Sequence, residues 1–106
     1  MSDQIDFVSV HKKPNVYFGG RSISYLIECE DGSKKTLGVL LPTEKLLTFE
    51  THVNETIEIV SGTCVVKIGE DEDLQTFSVG DSFKVAANSR FSMMTNEVVD
   101  YICHLG

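Results

Sequence analysis

The chain has 106 residues, of which 42% are hydrophobic and 24% charged, the composition of one folded domain rather than of a disordered segment. Its formal net charge is −7, and its nine lysines and arginines are scattered along the sequence. This distribution disfavours binding to a nucleic-acid backbone and docking on an anionic membrane, because both need clustered basic side chains.

Residues 1–15 read as a polar N-terminal arm or strand. They lack the basic start and apolar stretch of a secretory signal, and no apolar run in the chain approaches the roughly 20 residues needed to span a bilayer. The cysteines Cys29, Cys64 and Cys103 are odd in number and form no CxxC pair. We therefore expect a cytoplasmic protein whose cysteines are reduced thiols packed in the core.

Short runs of alternating apolar and polar residues follow, bounded by Gly, Asn and Asp. They predict strands at residues 22–28, 36–41, 45–51, 55–60, 63–68, 75–79, 82–85, 89–95 and 98–105. Asp31 and Gly32 form a strong hairpin-turn signal between the first two strands. No segment has a sustained 3.6-residue period, so the pattern predicts a single all-β domain over residues 1–106, a sandwich or barrel.

Two segments resemble the conserved segments of the cupin superfamily. Glu55 lies on a strand that ends at Gly62, and Gly80-Asp81 opens an apolar strand that leads to a turn at residues 86–89. The resemblance implies a double-stranded β-helix, or jelly-roll barrel, with a site in the barrel mouth. Glu55 takes the inward position of the metal-binding Glu of related cupins.

The positions that carry histidine ligands in metal-binding cupins hold Phe49, Thr51 and Phe91 here. Phenyl rings and a hydroxyl cannot replace imidazoles, and one carboxylate does not hold Zn²⁺ or Fe²⁺ alone. His52 is one residue out of phase, and on a strand it would point to the opposite face. We therefore expect no metal, and a metal-dependent cupin oxygenase or isomerase is disfavoured.

Nearly the whole chain, from Tyr17 to His104, is similar to the pyrimidine/purine nucleoside phosphorylase family. The resembling segments are residues 17–21, 36–39, 49–51, 58–62, 83–91 and 101–103. Ala86 departs from the Pro usual in the family, and His104 stands where the family often has a basic residue. The resemblance implies phosphorolysis of purine and pyrimidine nucleosides to free base and pentose 1-phosphate, with inorganic phosphate as co-substrate and no cofactor.

Such a reaction needs an anion site and negative charge near an oxocarbenium-like sugar. Arg21 and Arg90, the two arginines of the chain, are the predicted phosphate ligands, because the guanidinium fork matches phosphate oxygens. Glu55 is the predicted catalytic carboxylate and Arg90 its catalytic partner. The alternatives are that both arginines are solvated on turns and that Glu55 faces water. Glu50 is a second carboxylate candidate for the sugar cation, with the alternative that alternation points it outward, as it does Glu58.

The predicted substrate-binding residues are aromatic side chains that could stack a base and small hydroxyls that could bind ribose. They are Phe49, Thr51, Ser61, Phe83, Phe91 and Tyr101. The alternative for each is ordinary packing in a strand or the core.

A second function remains open at this point: a non-enzymatic, metal-free cupin that binds a small metabolite. Melting shifts with a ligand but without turnover would favour it over the enzyme. In either case a barrel of this size leaves strand edges and an apolar outer face to cover, so we expect a homodimer to which the N-terminal segment contributes.

Overall fold

The structure, a computed structural model, describes residues 3–106, and within them no helix is long and apolar enough to cross a bilayer. The strands in these residues are β1 (Val8–Val10), β2 (Asn15–Tyr17), β3 (Ser22–Cys29), β4 (Lys34–Leu40), β5 (Leu47–Glu50), β6 (Glu55–Ser61), β7 (Cys64–Ile68), β8 (Gln75–Phe77), β9 (Ser82–Val85), β10 (Arg90–Met94) and β11 (Val99–Leu105). A short 3-10 turn, Phe18–Gly20, joins β2 to β3. The predicted all-β class is confirmed, and the predicted strands correspond to β3 through β11 with slightly moved ends.

The strands form two antiparallel sheets. The first has seven strands in the order β1-β3-β4-β11-β6-β9, with β2 also paired to β3, and the second has four in the order β5-β10-β7-β8. β1 pairs with the second half of β3 and β2 with its first half, while β4 pairs along the length of β3. The N-terminal segment therefore covers the edge of β3 that β4 leaves free, which protects that edge from other chains.

The core lies between the two sheets, because each contributes its inward-facing alternate residues. Ile57, Ile59 and Val99 come from the first sheet and Val66 and Met93 from the second, and none is more than 1% exposed. Burying side chains of this size contributes roughly 1.5–3 kcal/mol each. The radius of gyration, 13.3 Å, is close to the roughly 13 Å expected of one 100-residue domain.

Gly62 makes the turn that ends β6 and sends the chain back as β7. Its φ is +84°, and a Cβ built there would lie 2.5 Å from the carbonyl oxygen of Val98. A side chain at this position would be strained by the backbone and would collide with a neighbouring strand. The Gly that closes the Glu55 segment in the sequence is thus required by the fold.

Candidate functional site

A cavity of about 600 Å³ opens between the sheets at the end where β6 begins, a volume in the range of small-molecule sites. Inward-facing residues of the first sheet form its floor, while β5, β10 and the segment before β3 form its wall. The floor and wall residues are Asn15, Tyr17, Phe18, Ser24, Leu26, Thr36, Thr48, Phe49, Glu50, His52, Glu55, Phe91, Tyr101, Cys103 and Leu105.

Four aromatic rings stand along one side of the cavity. Phe49 and Phe91 occupy directly opposite positions on β5 and β10, and their rings stack with centroids 5.2 Å apart and planes 15° from parallel. The ring of Phe18 meets Phe49 edge-on at 5.2 Å, and that of Tyr17 does so at 5.9 Å. Phe91 is buried, whereas Tyr17 and Phe18 remain 42% and 41% exposed beside the opening.

Glu55 lies on the floor of the cavity at the start of β6, and its partner is a thiol. The Sγ of Cys103 donates a hydrogen bond to Oε1 of Glu55 over 2.9 Å. Burial, and next to it the Glu55 carboxylate, raises the pKa of Cys103 above its ordinary range, so this thiol keeps its proton. Cys103 therefore fixes the orientation of the Glu55 side chain and is itself a poor nucleophile.

Tyr101 lies beside Cys103 on the same face of β11. Its hydroxyl is hydrogen-bonded to the hydroxyl of Ser22 at 3.0 Å, and burial raises the pKa of Tyr101 to about 12. The ring rests on Gly38 of the neighbouring strand, where a Cβ would lie 2.4 Å from the ring carbon Cζ. The missing side chain at position 38 is what lets this ring lie flat on the cavity floor.

Glu50 and His52 also line the cavity, although alternation placed both of them away from the site. Glu50 is the last residue of β5, and the chain after it leaves strand conformation. The rule that alternate residues point to opposite faces stops applying after Glu50, so it does not decide the direction of His52, which belongs to the lining of the cavity. Both residues are exposed at the rim.

Thr51, between them, is 2% exposed and belongs to the support of the cavity rather than to its lining. Its hydroxyl donates to the carbonyl of Ala86 over 2.6 Å and accepts from the amide of Ser89 over 3.0 Å. These two bonds attach the end of β5 to the turn between β9 and β10. They fix the backbone at Thr51, between Glu50 and His52.

Neither arginine lines the cavity, and the expected pair between Glu55 and Arg90 is not formed. Nη2 of Arg90 instead lies 2.7 Å from Oε1 of Glu70, and the two side chains are 53% and 84% exposed. Arg90 begins β10 outside the cavity, because its alternation is opposite to that of Phe91. It is, however, the direct cross-strand neighbour of Glu50.

Arg21, Ser61 and Phe83 lie elsewhere. Arg21 lines a separate groove of about 760 Å³ together with Lys45 and Asn96. The Ser61 hydroxyl donates to Oδ2 of Asp100 over 2.6 Å at the far end of β6.

Phe83 is a core residue, 5% exposed, whose ring packs 4.8 Å from that of Phe77. Glu58 is on the outer face of the first sheet, where its Oε1 lies 3.0 Å from Nε2 of His104.

The structure thus brings four of the predicted residues into one cavity, namely Phe49, Glu55, Phe91 and Tyr101. It adds residues that sequence reasoning did not assign to the site, chiefly Tyr17, Phe18 and Cys103. Tyr17 and Phe18 belong to segment 17–21, which resembles the family, and that resemblance was the signal that could have identified them as site residues. In residues 3–106, no three His, Cys, Asp or Glu side chains are grouped so as to hold a metal ion.

A family model described as pyrimidine/purine nucleoside phosphorylase matches residues 12–105. A protein of that name from Acinetobacter baylyi is 58% identical over 104 residues, 98% of this chain and 96% of the relative. A protein of the same name from Methylococcus capsulatus is 46% identical over 103 residues, which are 97% of this chain and 98% of the relative.

Among solved structures, a protein of unknown function from an Acinetobacter species is 57% identical. It superposes with a TM-score of 0.97 and covers 99% of this chain and 100% of its own. The iron(II) enzyme HppE, with an alternative substrate, is 13% identical with a TM-score of 0.72. That match covers 100% of this chain and 60% of HppE, which shows a shared fold alone.

Proposed function

The chain belongs to the pyrimidine/purine nucleoside phosphorylase family, and from this we propose that it catalyses phosphorolysis of purine and pyrimidine nucleosides. In this reaction an oxygen of inorganic phosphate forms a bond to C1′ of the pentose. The bond from C1′ to the base nitrogen breaks, its electron pair goes to the base, and the base takes up a proton. The products are free base and pentose 1-phosphate, and no cofactor is required.

The observation that carries the proposal is the placing of Glu55 on the floor of a cavity walled by aromatic rings. A base can stack on such rings whatever its identity, because every base has a π-face, and this suits a broad specificity. Hydroxyl and amide side chains of the lining, those of Asn15, Ser24 and Thr36, are suited to ribose hydroxyls.

Glu55 is the group we assign to the developing positive charge on the sugar. A fixed carboxylate in a partly dry cavity stabilises such charge more than water does, because it needs no reorientation during the reaction. The hydrogen bond from Cys103 supplies that fixed orientation. The imidazole of His52, at the rim, is our candidate donor of the proton to the leaving base.

We assign the phosphate to Arg90, from its position beside the rim. Side chains of directly opposite residues in an antiparallel pair start about 5 Å apart on the same face, and Arg90 is opposite Glu50. Its bond to Glu70 is an exposed ion pair, a kind that contributes only about 0–1 kcal/mol. Phosphate can therefore displace Glu70. Arg21 stays the second candidate phosphate ligand, from its separate groove with Lys45.

The test is base release from uridine and adenosine with and without phosphate. We expect phosphate-dependent release in the wild type, a loss of about 10²-fold or more in kcat for Glu55→Gln, and a raised KM for phosphate in Arg90→Ala. Glu70→Gln is the matched control, because it removes the partner of Arg90 and leaves the guanidinium free. If Glu70→Gln raises the phosphate KM as much as Arg90→Ala does, the role of Arg90 is structural and the assignment fails.

One observation favours a second candidate function, a binding module for a small metabolite. Of the described residues that line the cavity, none is a lysine or an arginine, so the anion must be held from the rim. Ligand-induced melting shifts with no base released from any nucleoside would establish the binding module and end the enzymatic proposal.

We also propose a cytoplasmic homodimer. The described residues hold three free cysteines, which suits a reducing compartment. The outer face of the first sheet exposes Tyr25, Leu37 and Val60, with Val10 from β1 beside them, each 38–54% exposed. A second copy packed on this face would cover it. A solution mass of twice the chain, reduced to one chain mass by Leu37→Glu, is the expected result; a monomeric wild type would contradict it.

A further inference from the structure

The charges of the cavity are unusual for a site that handles phosphate. Two carboxylates, Glu50 and Glu55, belong to its lining, and the basic group among the described lining residues is the imidazole of His52. Arg90, opposite Glu50 and outside the lining, is paired with Glu70. The chain as a whole carries a formal charge of −7, so the surrounding field has the same sign. A cavity of this kind attracts cations and repels anions over the distance of about one Debye length, roughly 10 Å.

The aromatic side chains add a second attraction for the same kind of ligand. The rings of Tyr17 and Phe18 border the cavity with about two fifths of their surface exposed, and both contact Phe49 edge-on. An aromatic face tightens the binding of a cation by about 2- to 30-fold relative to a site without the ring, and the gain is larger where water is excluded. Carboxylates and aromatic faces around one cavity therefore select a flat, positively charged ligand.

We propose that the preferred substrates are N-glycosides whose heteroaromatic base carries a fixed positive charge, as an N-alkylated purine or a pyridinium does. This inference rests on the proposed function and names its substrate class. Glu50 faces the charge of the base, the rings face its plane, and the pentose lies over Glu55.

The chemistry of such substrates suits the groups present. An oxygen of phosphate bonds to C1′, the bond from C1′ to the cationic nitrogen breaks, and the electron pair goes to that nitrogen and cancels its charge. The base leaves neutral, so no proton has to be supplied. A neutral nucleoside needs a proton donor at this step, and in the described lining that demand falls on His52 at the rim.

Binding can be measured apart from turnover with 1-methylnicotinamide and nicotinamide, two flat rings that differ by one methyl group and one positive charge. Calorimetric titration of the purified chain should show the cation bound at least fivefold more tightly, and Glu50→Gln should reduce that preference. Glu30→Gln removes the same charge from an exposed turn outside the cavity and should leave the preference unchanged. Equal binding of the two rings, or loss of the preference in Glu30→Gln as well, overturns the inference.

Turnover is measured with 7-methylguanosine and guanosine in phosphate buffer. A charged base is a better leaving group in any environment. The deciding quantity is therefore the ratio of the two kcat/KM values in Glu50→Gln, compared with the same ratio in Glu30→Gln. We expect the ratio to fall at least threefold in Glu50→Gln alone.

The two proposals fail separately. Phosphorolysis of guanosine with an unchanged ratio in Glu50→Gln overturns the charge selectivity and keeps the phosphorylase. Tight, Glu50-dependent binding of 1-methylnicotinamide with no release of base from either nucleoside overturns the phosphorylase and keeps the selectivity of the cavity.

Discussion

Replacement of Gly38 by Ala tests the packing of the cavity floor. In a strand interior, Gly→Ala ordinarily stabilises a protein by about 0.5–1 kcal/mol, because Ala loses less backbone freedom on folding. Gly38 has no positive φ that would reverse this. A Cβ at position 38 would, however, lie 2.4 Å from Cζ of Tyr101, and 2.7 Å from both Cε2 and the hydroxyl oxygen. The backbone effect therefore predicts that Gly38→Ala raises the free energy of unfolding, whereas the collision with Tyr101 predicts that it lowers it.

The magnitude follows from what the ring must do. Inserting a methyl group into a packed site costs about 1–3 kcal/mol, and the displaced Tyr101 hydroxyl leaves the buried Ser22 hydroxyl without its partner, at about 1–3 kcal/mol more. After subtraction of the backbone gain, Gly38→Ala should lower the free energy of unfolding by about 1–5.5 kcal/mol, with a middle value of about 3 kcal/mol. For a domain of this size that lowers Tm by about 10–25 °C.

Thermal and urea unfolding of four proteins give the measurement: the wild type, Gly38→Ala, Tyr101→Val and the double variant. If the collision is the cause, shortening the side chain at position 101 relieves it, and the double variant is more stable than the sum of the single effects by about 1–3 kcal/mol. Additive effects, or a Gly38→Ala variant as stable as the wild type, would refute the reasoning about this floor.

Other substitutions and conditions follow from the same contacts. Thr51→Val should lower the free energy of unfolding by about 1–3 kcal/mol in urea, because it removes two partly buried hydrogen bonds to the turn after β9. A loss below about 0.5 kcal/mol would contradict this. Cys103→Ala should lower kcat more than Cys103→Ser, which keeps a donor to Glu55; equal losses would limit Cys103 to packing. Burial raises the pKa of Cys64 to about 11 and that of Tyr101 to about 12, so these groups lose their protons more readily in the unfolded state than in the folded state. The free energy of unfolding should therefore fall as the pH rises from about 9 towards 11. A Tm that stays constant over this range would contradict the prediction.

The sequence was sufficient for the strands β3 to β11 and for the part of the site that lies within them. Alternation has a period of two, so the inward positions of a strand follow once one of them is identified. Glu55 is inward on β6, and Phe49 and Phe91, placed at corresponding cupin positions, are cross-strand partners whose rings stack. These features depend on local pattern and on strand pairing.

The parts of the site outside strands could not be read in this way. His52 follows the end of β5, and Phe18 has a φ of +53° in a turn, so neither obeys alternation. The partner of Arg90 is Glu70, from the acidic turn after β7, and long exposed side chains can reach several carboxylates that a sequence does not rank. The bond between Cys103 and Glu55 joins residues 48 apart in the chain through the pairing of β6 with β11, which only the register supplies.

The central claim, phosphorolysis in the cavity that holds Glu55, is tested most directly by ³¹P NMR of the wild-type chain with uridine and inorganic phosphate. We predict a new pentose 1-phosphate signal that grows in step with free uracil and is lost in Glu55→Gln, while Glu70→Gln retains it. Uracil release without a new phosphate ester would mean hydrolysis. No uracil at all, or an unchanged rate in Glu55→Gln, would contradict the reaction or its site.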